Sequence, residues 1–330
     1  MKRTSFLLVL LLPVLLFVTG CSKDDDPVTP PAINEAELVI QALEGADGGY
    51  LNKDCPAIVT AQNVNEDLLG AKKFHIIDVR AAADYAKGHI EGAVNVAIAD
   101  ILTYMKTITP SNFDKIVIAC YTGQSAAFTV AILRMSGYGN VFSMKYGMTS
   151  WHADFDRLST QISSDYVSQF VTTETAKAAA GTLPTLATGK TTGSEILQAR
   201  IASVLAEGYS KTAIDKATLF LDPTKYYIVN YWPAAEYTGI GHIPGSIQYT
   251  PKADLKLATF LKTLPTNKTI VIYCYTGQTS ANVATILRVM GYDAKTLGLG
   301  TNGMIWQKMK DAGKTAFNAT SDVMNFPYVK

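Results

Sequence analysis

A cysteine stands in the same five-residue context at two places in this chain of 330 residues. Cys120 begins the sequence Cys-Tyr-Thr-Gly-Gln, and Cys274 begins the same sequence 154 positions later. Each cysteine follows a short apolar run and precedes a helical pattern, which predicts that it lies where a strand ends and a helix begins. The unpaired N–H groups and the positive dipole end of a helix start favour a thiolate there. The pattern therefore indicates two nucleophilic sulfur atoms.

The residues after each cysteine form a candidate substrate loop. Backbone N–H groups in such a loop would surround the cysteine sulfur, a bound anion or the outer sulfur of a persulfide. The glycine in each loop permits the backbone angles that a close wrap requires. The candidate loop residues are Tyr121, Thr122, Gly123, Gln124 and Ser125 after the first cysteine, and Tyr275, Thr276, Gly277, Gln278 and Thr279 after the second.

Further motifs recur in the same order and at nearly the same spacing, which indicates a duplication. Gly-His-Ile occurs at 88–90 and 241–243, and a tryptophan occurs at 151 and 306. The helical pattern of residues 35–50 also has a parallel in residues 195–209. We call residues 57–152 the first copy and residues 212–307 the second copy.

Short continuous apolar runs alternate with helical patterns in both copies. Runs such as 116–119 and 270–273 are typical of strands buried on both faces of a parallel sheet. Alternating strands and helices predict an α/β fold, with a central, mostly parallel sheet flanked by helices in each copy. We expect one domain at residues 34–174, an Ala-, Thr- and Gly-rich linker at 175–193 and a second domain at 194–330.

Composition and charge exclude several functions. The chain is 48% hydrophobic, and its 29 Lys and Arg against 28 Asp and Glu give a net charge of +1. Nucleic-acid binding is therefore not expected, because no basic excess is present to counter phosphate charge. Four cysteines in 330 residues are too few for a disulfide scaffold. The four histidines lie at no metal-ligand spacing, so we expect no metal. Residues 298–303 fit the dinucleotide pattern GxGxxG but come late in a copy, so we expect no cofactor.

The first 21 residues have the pattern of a targeting segment. A basic start and an apolar run at 6–18 are followed by Val-Thr-Gly-Cys, ending at Cys21. This ending resembles the lipobox of bacterial lipoproteins, which implies cleavage before Cys21 and lipidation of that residue. Residues 22–33 would form a tether. We expect anchoring to a membrane of the bacterial cell envelope, with the outer membrane favoured because Ser22 is not aspartate. An ordinary secretory signal is the alternative.

The chain resembles the rhodanese family of sulfurtransferases. The resemblance covers most of both copies. It rests on the two cysteine loops together with Asp78-Val79-Arg80, Tyr85 and residues 88–93 in the first copy, and with residues 235–237 and 241–245 in the second. It implies two tandem rhodanese-like domains in which Cys120 and Cys274 are the nucleophiles. Asp78 and Arg80 would form a supporting ion pair close to the first of them.

The resemblance also implies a reaction. The cysteine would take sulfane sulfur from thiosulfate, a polysulfide or a mercapto-acid, form a persulfide and pass the sulfur to a thiol or cyanide. The expected partners are thus a small sulfur compound and a thiol acceptor, with a monomer favoured. A cysteine phosphatase of this fold needs an arginine six positions after the cysteine. Ala126 and Ser280 stand at these positions instead, so phosphatase activity is not expected.

Two other functions stay open at this point. The chain could be a non-catalytic binding module of rhodanese fold, because the loops carry no charge and Asp78-Val79-Arg80 becomes Asn230-Tyr231-Trp232 in the second copy. It could also cycle a disulfide between distant cysteines, since no CxxC is present. We interpret Cys55, which has no counterpart, as structural. The same holds for the histidines at 89 and 242 and, as core residues, for the two tryptophans.

Overall fold

The structure, a computed structural model, describes residues 34–330. Residues 1–21, Cys21 among them, and the predicted tether lie outside this range. Within it, two five-stranded sheets are present, and every strand pair in both is parallel. The predicted α/β fold, with a central parallel sheet flanked by helices in each copy, is confirmed. No helix in the described range is long and apolar enough to span a bilayer.

The first sheet has the strand order β1-β5-β4-β2-β3. The central strand β4 lies between β2 and β5, with Ile77 opposite Ile118, and four of its five residues are buried. Burial on both faces explains its continuous apolar sequence. The strands are β1 Ile58–Val59, β2 Phe74–Asp78, β3 Val94–Asn95, β4 Lys115–Ala119 and β5 Val141–Met144. The helices are α1 Glu35–Glu44, α2 Gly49–Lys53, α3 Ala61–Leu69, α4 Ala82–Tyr85, α5 Ile101–Met105, α6 Gln124–Met135 and α7 Met148–Trp151.

The second sheet repeats this topology in the order β6-β10-β9-β7-β8. Its central strand β9 is buried throughout. The strands are β6 Ala213–Ile214, β7 Tyr227–Asn230, β8 Ile247–Gln248, β9 Ile270–Tyr273 and β10 Ala294–Leu297. The helices are α8 Gly193–Glu207, α9 Lys216–Leu221, α10 Ala234–Ile240, α11 Gln278–Val289, α12 Trp306–Asp311 and α13 Ala319–Asp322. The identical strand order agrees with the duplication inferred from the motifs.

The two copies share one hydrophobic core. Helix α6 packs against α11, and α1 packs against α8. One cluster of buried side chains includes Val130 and Leu133 of the first copy together with Val283 and Leu287 of the second. Two smaller clusters fill the opposite faces of the two sheets. The helices that follow the cysteine loops therefore form the contact between the copies.

The segment that follows each copy lies on the other copy. After Trp151, the chain crosses to the second copy, where Val171 pairs in an isolated antiparallel bridge with His242. The C-terminal segment, residues 317–330, returns to the first copy, where Val329 pairs with His89. How the chain divides into domains therefore stays a prediction, since residues 163–171 follow the first copy but contact the second, and residues 317–330 follow the second copy but contact the first.

Two details differ from the sequence-based expectations. The helical pattern of residues 35–50 is divided into α1 and α2, because Gly45 and Gly48 between the helices, and Gly49 at the start of α2, have positive φ angles. Trp151 is 1% exposed, as expected of a core residue. Trp306, in contrast, is only half-buried, and its indole Nε1 donates to the carbonyl oxygen of Phe317 at 2.7 Å. The expectation that Trp306 is a core residue is therefore wrong.

Candidate active site

Cys120 lies at the end of β4 and directly before the loop that starts α6, as its context predicts. The N–H groups of Gly123 and Ala126 donate to its Sγ at 3.1 and 3.4 Å. Gly123 has φ +83° and is the N-cap residue of α6, a conformation that favours glycine. The sulfur therefore sits among the unpaired N–H groups of a helix start, which stabilise negative charge.

The turn after β5 holds the backbone of this cysteine. Met148 and Thr149 donate their N–H groups to the carbonyl oxygens of Cys120 and Tyr121 at 2.7 and 3.0 Å. Gly147 approaches so closely that a Cβ there would lie 2.1 Å from the Cys120 carbonyl oxygen. The second copy repeats this arrangement, with Thr301 donating to the Cys274 carbonyl oxygen at 3.0 Å. Both cysteine loops are thus fixed by a second loop from the neighbouring strand.

Cys274 differs from Cys120 in what surrounds its sulfur. Its Sγ accepts a hydrogen bond from the N–H of Ser280 at 3.4 Å and lies 3.5 Å from the hydroxyl of the same residue. That hydroxyl also pairs with Thr296 at 2.7 Å. The corresponding residue of the first copy is Ala126, which has no side-chain polar group. Cys274 is therefore tied into a local hydroxyl network, whereas Cys120 has only backbone donors.

The predicted ion pair between Asp78 and Arg80 is present and lies beside the first loop. Nη2 of Arg80 lies 2.7 Å from Oδ2 of Asp78, and both side chains are 1% exposed. Burial by itself lowers the pKa of Arg80, but hydrogen bonding and charge attraction from Asp78 outweigh it, so the pKa is raised. The guanidinium carbon also lies 5.0 Å from the ring centroid of Tyr121. The Arg80 guanidinium thus lies against the residue that follows Cys120, with its charge balanced by Asp78.

A second cation at this loop was not predicted from the sequence. The guanidinium carbon of Arg157 lies 4.7 Å from the ring centroid of Tyr121, and Arg157 is exposed. Hydrogen bonds from Lys87 and, secondly, Tyr121 lower the pKa of Asp84 in the same region. The uncharged loop of the first copy therefore has arginine on its border, although no loop residue is basic. The sequence offers no signal for this, because Arg157 lies beyond the repeated motifs.

The second copy has neutral residues in place of Asp78 and Arg80. Trp232, which stands where Arg80 does, stacks on Tyr275 with ring centroids 4.9 Å apart. Asn230, which stands where Asp78 does, donates to the hydroxyl of Tyr273 at 2.9 Å. The second site therefore lacks the ion pair that the first site has, although their loop sequences are nearly identical.

The remaining loop residues separate into an accessible and a buried group. Tyr121, Thr122, Ser125, Tyr275, Thr276 and Thr279 are half-buried. The glycines and glutamines are buried, and Gln124 and Gln278 are directed toward the loop of the other copy. Cys120 and Cys274 themselves are 4% and 3% exposed. The half-buried residues are therefore the accessible part of each loop. The catalytic role of all these residues stays a prediction.

Cys55 is a free, buried thiol. Burial raises the pKa of this thiol to about 12, so it stays protonated at neutral pH. It lies in the shared core, which agrees with a structural role. Cys120 and Cys274 are also free thiols. In the part of the chain that is described, no group of three or more His, Cys, Asp or Glu is arranged to bind a metal.

Comparison with known proteins identifies one family whose sequence model matches both copies. The sequence model of the family described as "Rhodanese-like domain" matches residues 61–154 and 215–304. Thiosulfate sulfurtransferase GlpE of Pseudoalteromonas translucida (strain TAC 125) is 33% identical over 90 residues, which are 27% of this chain and 83% of that protein. Thiosulfate sulfurtransferase PspE of Escherichia coli (strain K12) is 30% identical over 67 residues, 20% of this chain and 64% of that protein. A solved rhodanese-like domain protein from Staphylococcus aureus is 24% identical, covering 28% of this chain and 87% of that one, with a TM-score of 0.26.

Proposed function

Because this chain belongs to the rhodanese-like family, we propose that it is a sulfurtransferase in which Cys120 carries the transferred sulfur. The observation that supports this most directly is the pair of hydrogen bonds from Gly123 and Ala126 to the Sγ of Cys120. Two N–H donors at the start of a helix favour the thiolate, which is the nucleophilic form. Relatives about 30% identical are named thiosulfate sulfurtransferases.

The proposed reaction has two displacement steps. The Cys120 thiolate attacks the outer sulfur of the donor, the donor's S–S bond breaks, and the remaining fragment (sulfite, for thiosulfate) leaves with the electron pair. The resulting persulfide carries its charge on the outer sulfur. A thiolate or cyanide then attacks that outer sulfur, the bond to Sγ breaks, and the Cys120 thiolate is restored. The covalent intermediate divides one transfer into two easier steps.

An anionic donor suits the first copy. Arg80 and Arg157 both lie over the ring of Tyr121, next to the nucleophile. Asp78 balances the charge of Arg80, so the exposed charge of Arg157 is the one that would attract thiosulfate or a polysulfide anion toward the loop. Cys274 is a second candidate nucleophile of the same kind, but its border carries Trp232 and its sulfur contacts the Ser280 hydroxyl. We therefore expect the first copy to take up sulfur from anionic donors faster.

Intact-mass measurement after brief exposure to thiosulfate, and separately to polysulfide, tests this proposal. The wild-type protein is expected to gain sulfur, and Cys120→Ala is expected to lose that gain, while Cys274→Ala retains it. Gain at both cysteines would show two working sites. If folded protein with free thiols gains no sulfur from either donor, the sulfurtransferase proposal is wrong for those donors, and a binding module of rhodanese fold becomes the better proposal.

We also propose that the protein is held at the cell envelope by a lipid on Cys21, with the outer membrane favoured. The proposal rests on the sequence Val-Thr-Gly-Cys after the apolar run of residues 6–18. Labelling with radioactive palmitate in a bacterial host is expected to mark the wild-type protein and not Cys21→Ala. Equal labelling of both proteins, or of neither, would show that Cys21 is not the lipidated residue.

A further inference from the structure

The cysteine loop of the first copy is contacted by a glutamine of the second. Gln278 is fully buried at the start of α11 and extends across the contact between the copies. Its Nε2 donates to the carbonyl oxygens of Gly123 and Met144 at 3.3 and 3.2 Å. Its Oε1 accepts from the N–H of Tyr146 at 3.1 Å. Both N–H groups and the oxygen of this amide are thus used within the first copy.

These bonds join the two segments that fix Cys120. Gly123 is the residue whose N–H donates to the Sγ of Cys120, and Gln278 binds the carbonyl of that same residue. Met144 and Tyr146 lead into the turn whose Met148 N–H holds the Cys120 carbonyl. A Cβ at Gly123 would lie 2.2 Å from Nε2 of Gln278, so the amide fits only against glycine. The side chain therefore bridges the sulfur-binding loop and the turn that supports it.

The reverse contact is weaker. Oε1 of Gln124 accepts from the N–H of Leu299 at 3.0 Å, the counterpart of the bond between Tyr146 and Gln278. Its Nε2, however, donates to Thr122 in its own loop at 3.2 Å and not to the second copy. Gln278 thus makes three hydrogen bonds to the backbone of the first copy. Gln124 makes one to the backbone of the second copy and accepts a longer one, at 3.4 Å, from the hydroxyl of Tyr209.

We propose that Gln278 is a positioning residue for Cys120, so that the second copy completes the sulfur-binding loop of the first. This inference rests on the proposed function, because it assigns the second copy a part in the same reaction. It predicts that the reactivity of Cys120 depends on a side chain 158 positions away in sequence. If the carbonyl of Gly123 loses its partner Gln278, the loop shifts. The N–H of Gly123 then stabilises the Cys120 thiolate less well.

The test uses Gln278→Met, which is neutral and close in size but forms no amide hydrogen bonds. Thr285→Val is the matched control, because Thr285 is also buried on α11 and its hydroxyl donates within that helix, to the carbonyl oxygen of Ala281 at 2.7 Å. Rates of iodoacetamide alkylation at Cys120 are measured peptide by peptide from pH 5 to 9. Far-UV circular dichroism and melting curves show whether each variant is folded.

In Gln278→Met the alkylation profile of Cys120 is expected to move to higher pH, with the rate at neutral pH about 3- to 10-fold lower. Sulfur uptake from thiosulfate should fall by a similar factor, while the profile of Thr285→Val stays at the wild-type position. A wild-type profile in Gln278→Met, or equal shifts in both variants, would overturn the positioning role. If Gln278→Met does not fold, Gln278→Asn, which keeps the amide one methylene shorter, is measured against the same criteria.

The two proposals fail separately. Alkylation reports the state of the Cys120 thiol whether or not the protein transfers sulfur. A shifted alkylation profile without sulfur uptake by the wild-type protein would therefore support the positioning role and contradict the proposed function. Normal sulfur uptake in Gln278→Met, with an unshifted profile, would support the proposed function and contradict the positioning role.

Discussion

Asp78 and Arg80 form a buried ion pair in which Nε of Arg80 lies 3.0 Å from both carboxylate oxygens of Asp78. Nη2 of Arg80 also donates to the carbonyl oxygen of Gly88 at 2.7 Å. The second copy has Asn230 and Trp232 at these positions, so it carries a charge at neither. A pair that differs as a unit between two copies of one fold indicates that each partner is unfavourable without the other.

Removing one partner of this pair should destabilise the protein more than removing both charges. Asp78→Asn leaves the Arg80 guanidinium buried without its counterion, which is expected to cost about 3–5 kcal/mol of unfolding free energy. Asp78→Asn combined with Arg80→Trp, which reproduces the second copy, should recover part of this loss. Urea unfolding of the two variants and the wild type measures the difference. A double variant less stable than Asp78→Asn alone would contradict the explanation.

Comparison of Gly123→Ala with Gly137→Ala separates the cost of backbone strain from the cost of contact with Gln278. Gly137→Ala places a Cβ in open space at φ +96°, so it should cost about 1–2 kcal/mol from conformation alone. Gly123→Ala has φ +83° and would also bring its Cβ within 2.2 Å of Gln278, adding about 1–3 kcal/mol. Thermal or urea unfolding compares the two variants. Equal losses would show that the Gln278 side chain moves aside at little cost.

Arg157 should affect anionic donors selectively. We expect Arg157→Gln to slow persulfide formation from thiosulfate about 2- to 5-fold, because one exposed positive charge is lost at the loop. The wild-type rate should fall toward the variant's rate as salt is added, since salt screens exposed charges. Stopped-flow mixing followed by mass analysis gives the rates, with Lys106→Gln as a control at an exposed position. A defect that is unchanged at high salt would indicate a role other than charge attraction.

Cys55 should make the protein less stable at alkaline pH. Burial raises the pKa of its thiol to about 12 in the folded protein, whereas the pKa of an unfolded cysteine is ~8.5. The folded state therefore keeps a proton that the unfolded state releases. The unfolding free energy is unaffected by this group below pH ~8.5 and declines as the pH rises above it. Between ~8.5 and ~10, before unfolded tyrosines ionise, the unfolding free energy should fall by up to about 1.4 kcal/mol per pH unit.

Cys55→Ala provides the comparison for this pH dependence. The substitution removes the titrating group, so the slope of unfolding free energy against pH should flatten in the same interval, whatever the change at pH 7. Urea unfolding at several pH values measures both slopes. Identical slopes for the wild type and Cys55→Ala would show that the Cys55 thiol does not cause the alkaline loss.

The C-terminal segment should protect the first copy and not the second. Nε1 of Trp151 donates to the carbonyl oxygen of Pro327 at 2.9 Å, and a Cβ at Gly88 would lie 2.5 Å from the ring of Tyr328. Deletion of residues 324–330 is therefore expected to increase amide hydrogen exchange around residues 85–95 and 148–155 by tenfold or more, that is, by about 1.4 kcal/mol of local stability. Residues 237–245 of the second copy are the internal control. Increased exchange in both copies would indicate general unfolding.

Local sequence patterns determined the repeated α/β fold and the position of both cysteines between a strand and a helix. These features depend on neighbouring residues: apolar runs that need burial on both faces, glycines that permit a positive φ, and motifs in fixed order. The Asp78–Arg80 pair could be predicted for the same reason, since its members are two positions apart.

Only the tertiary structure placed Gln278 against the Cys120 loop, Arg157 over Tyr121 and the C-terminal segment on the first copy. Gln278 and Gln124 occupy equivalent places in nearly identical loops, so their sequence cannot show that one amide binds both Gly123 and Met144 while the other turns back to Thr122. Such contacts join residues far apart in the chain. They are decided by how α6 packs on α11, because packing of the whole core, and not local preference, sets which side chains meet across that interface.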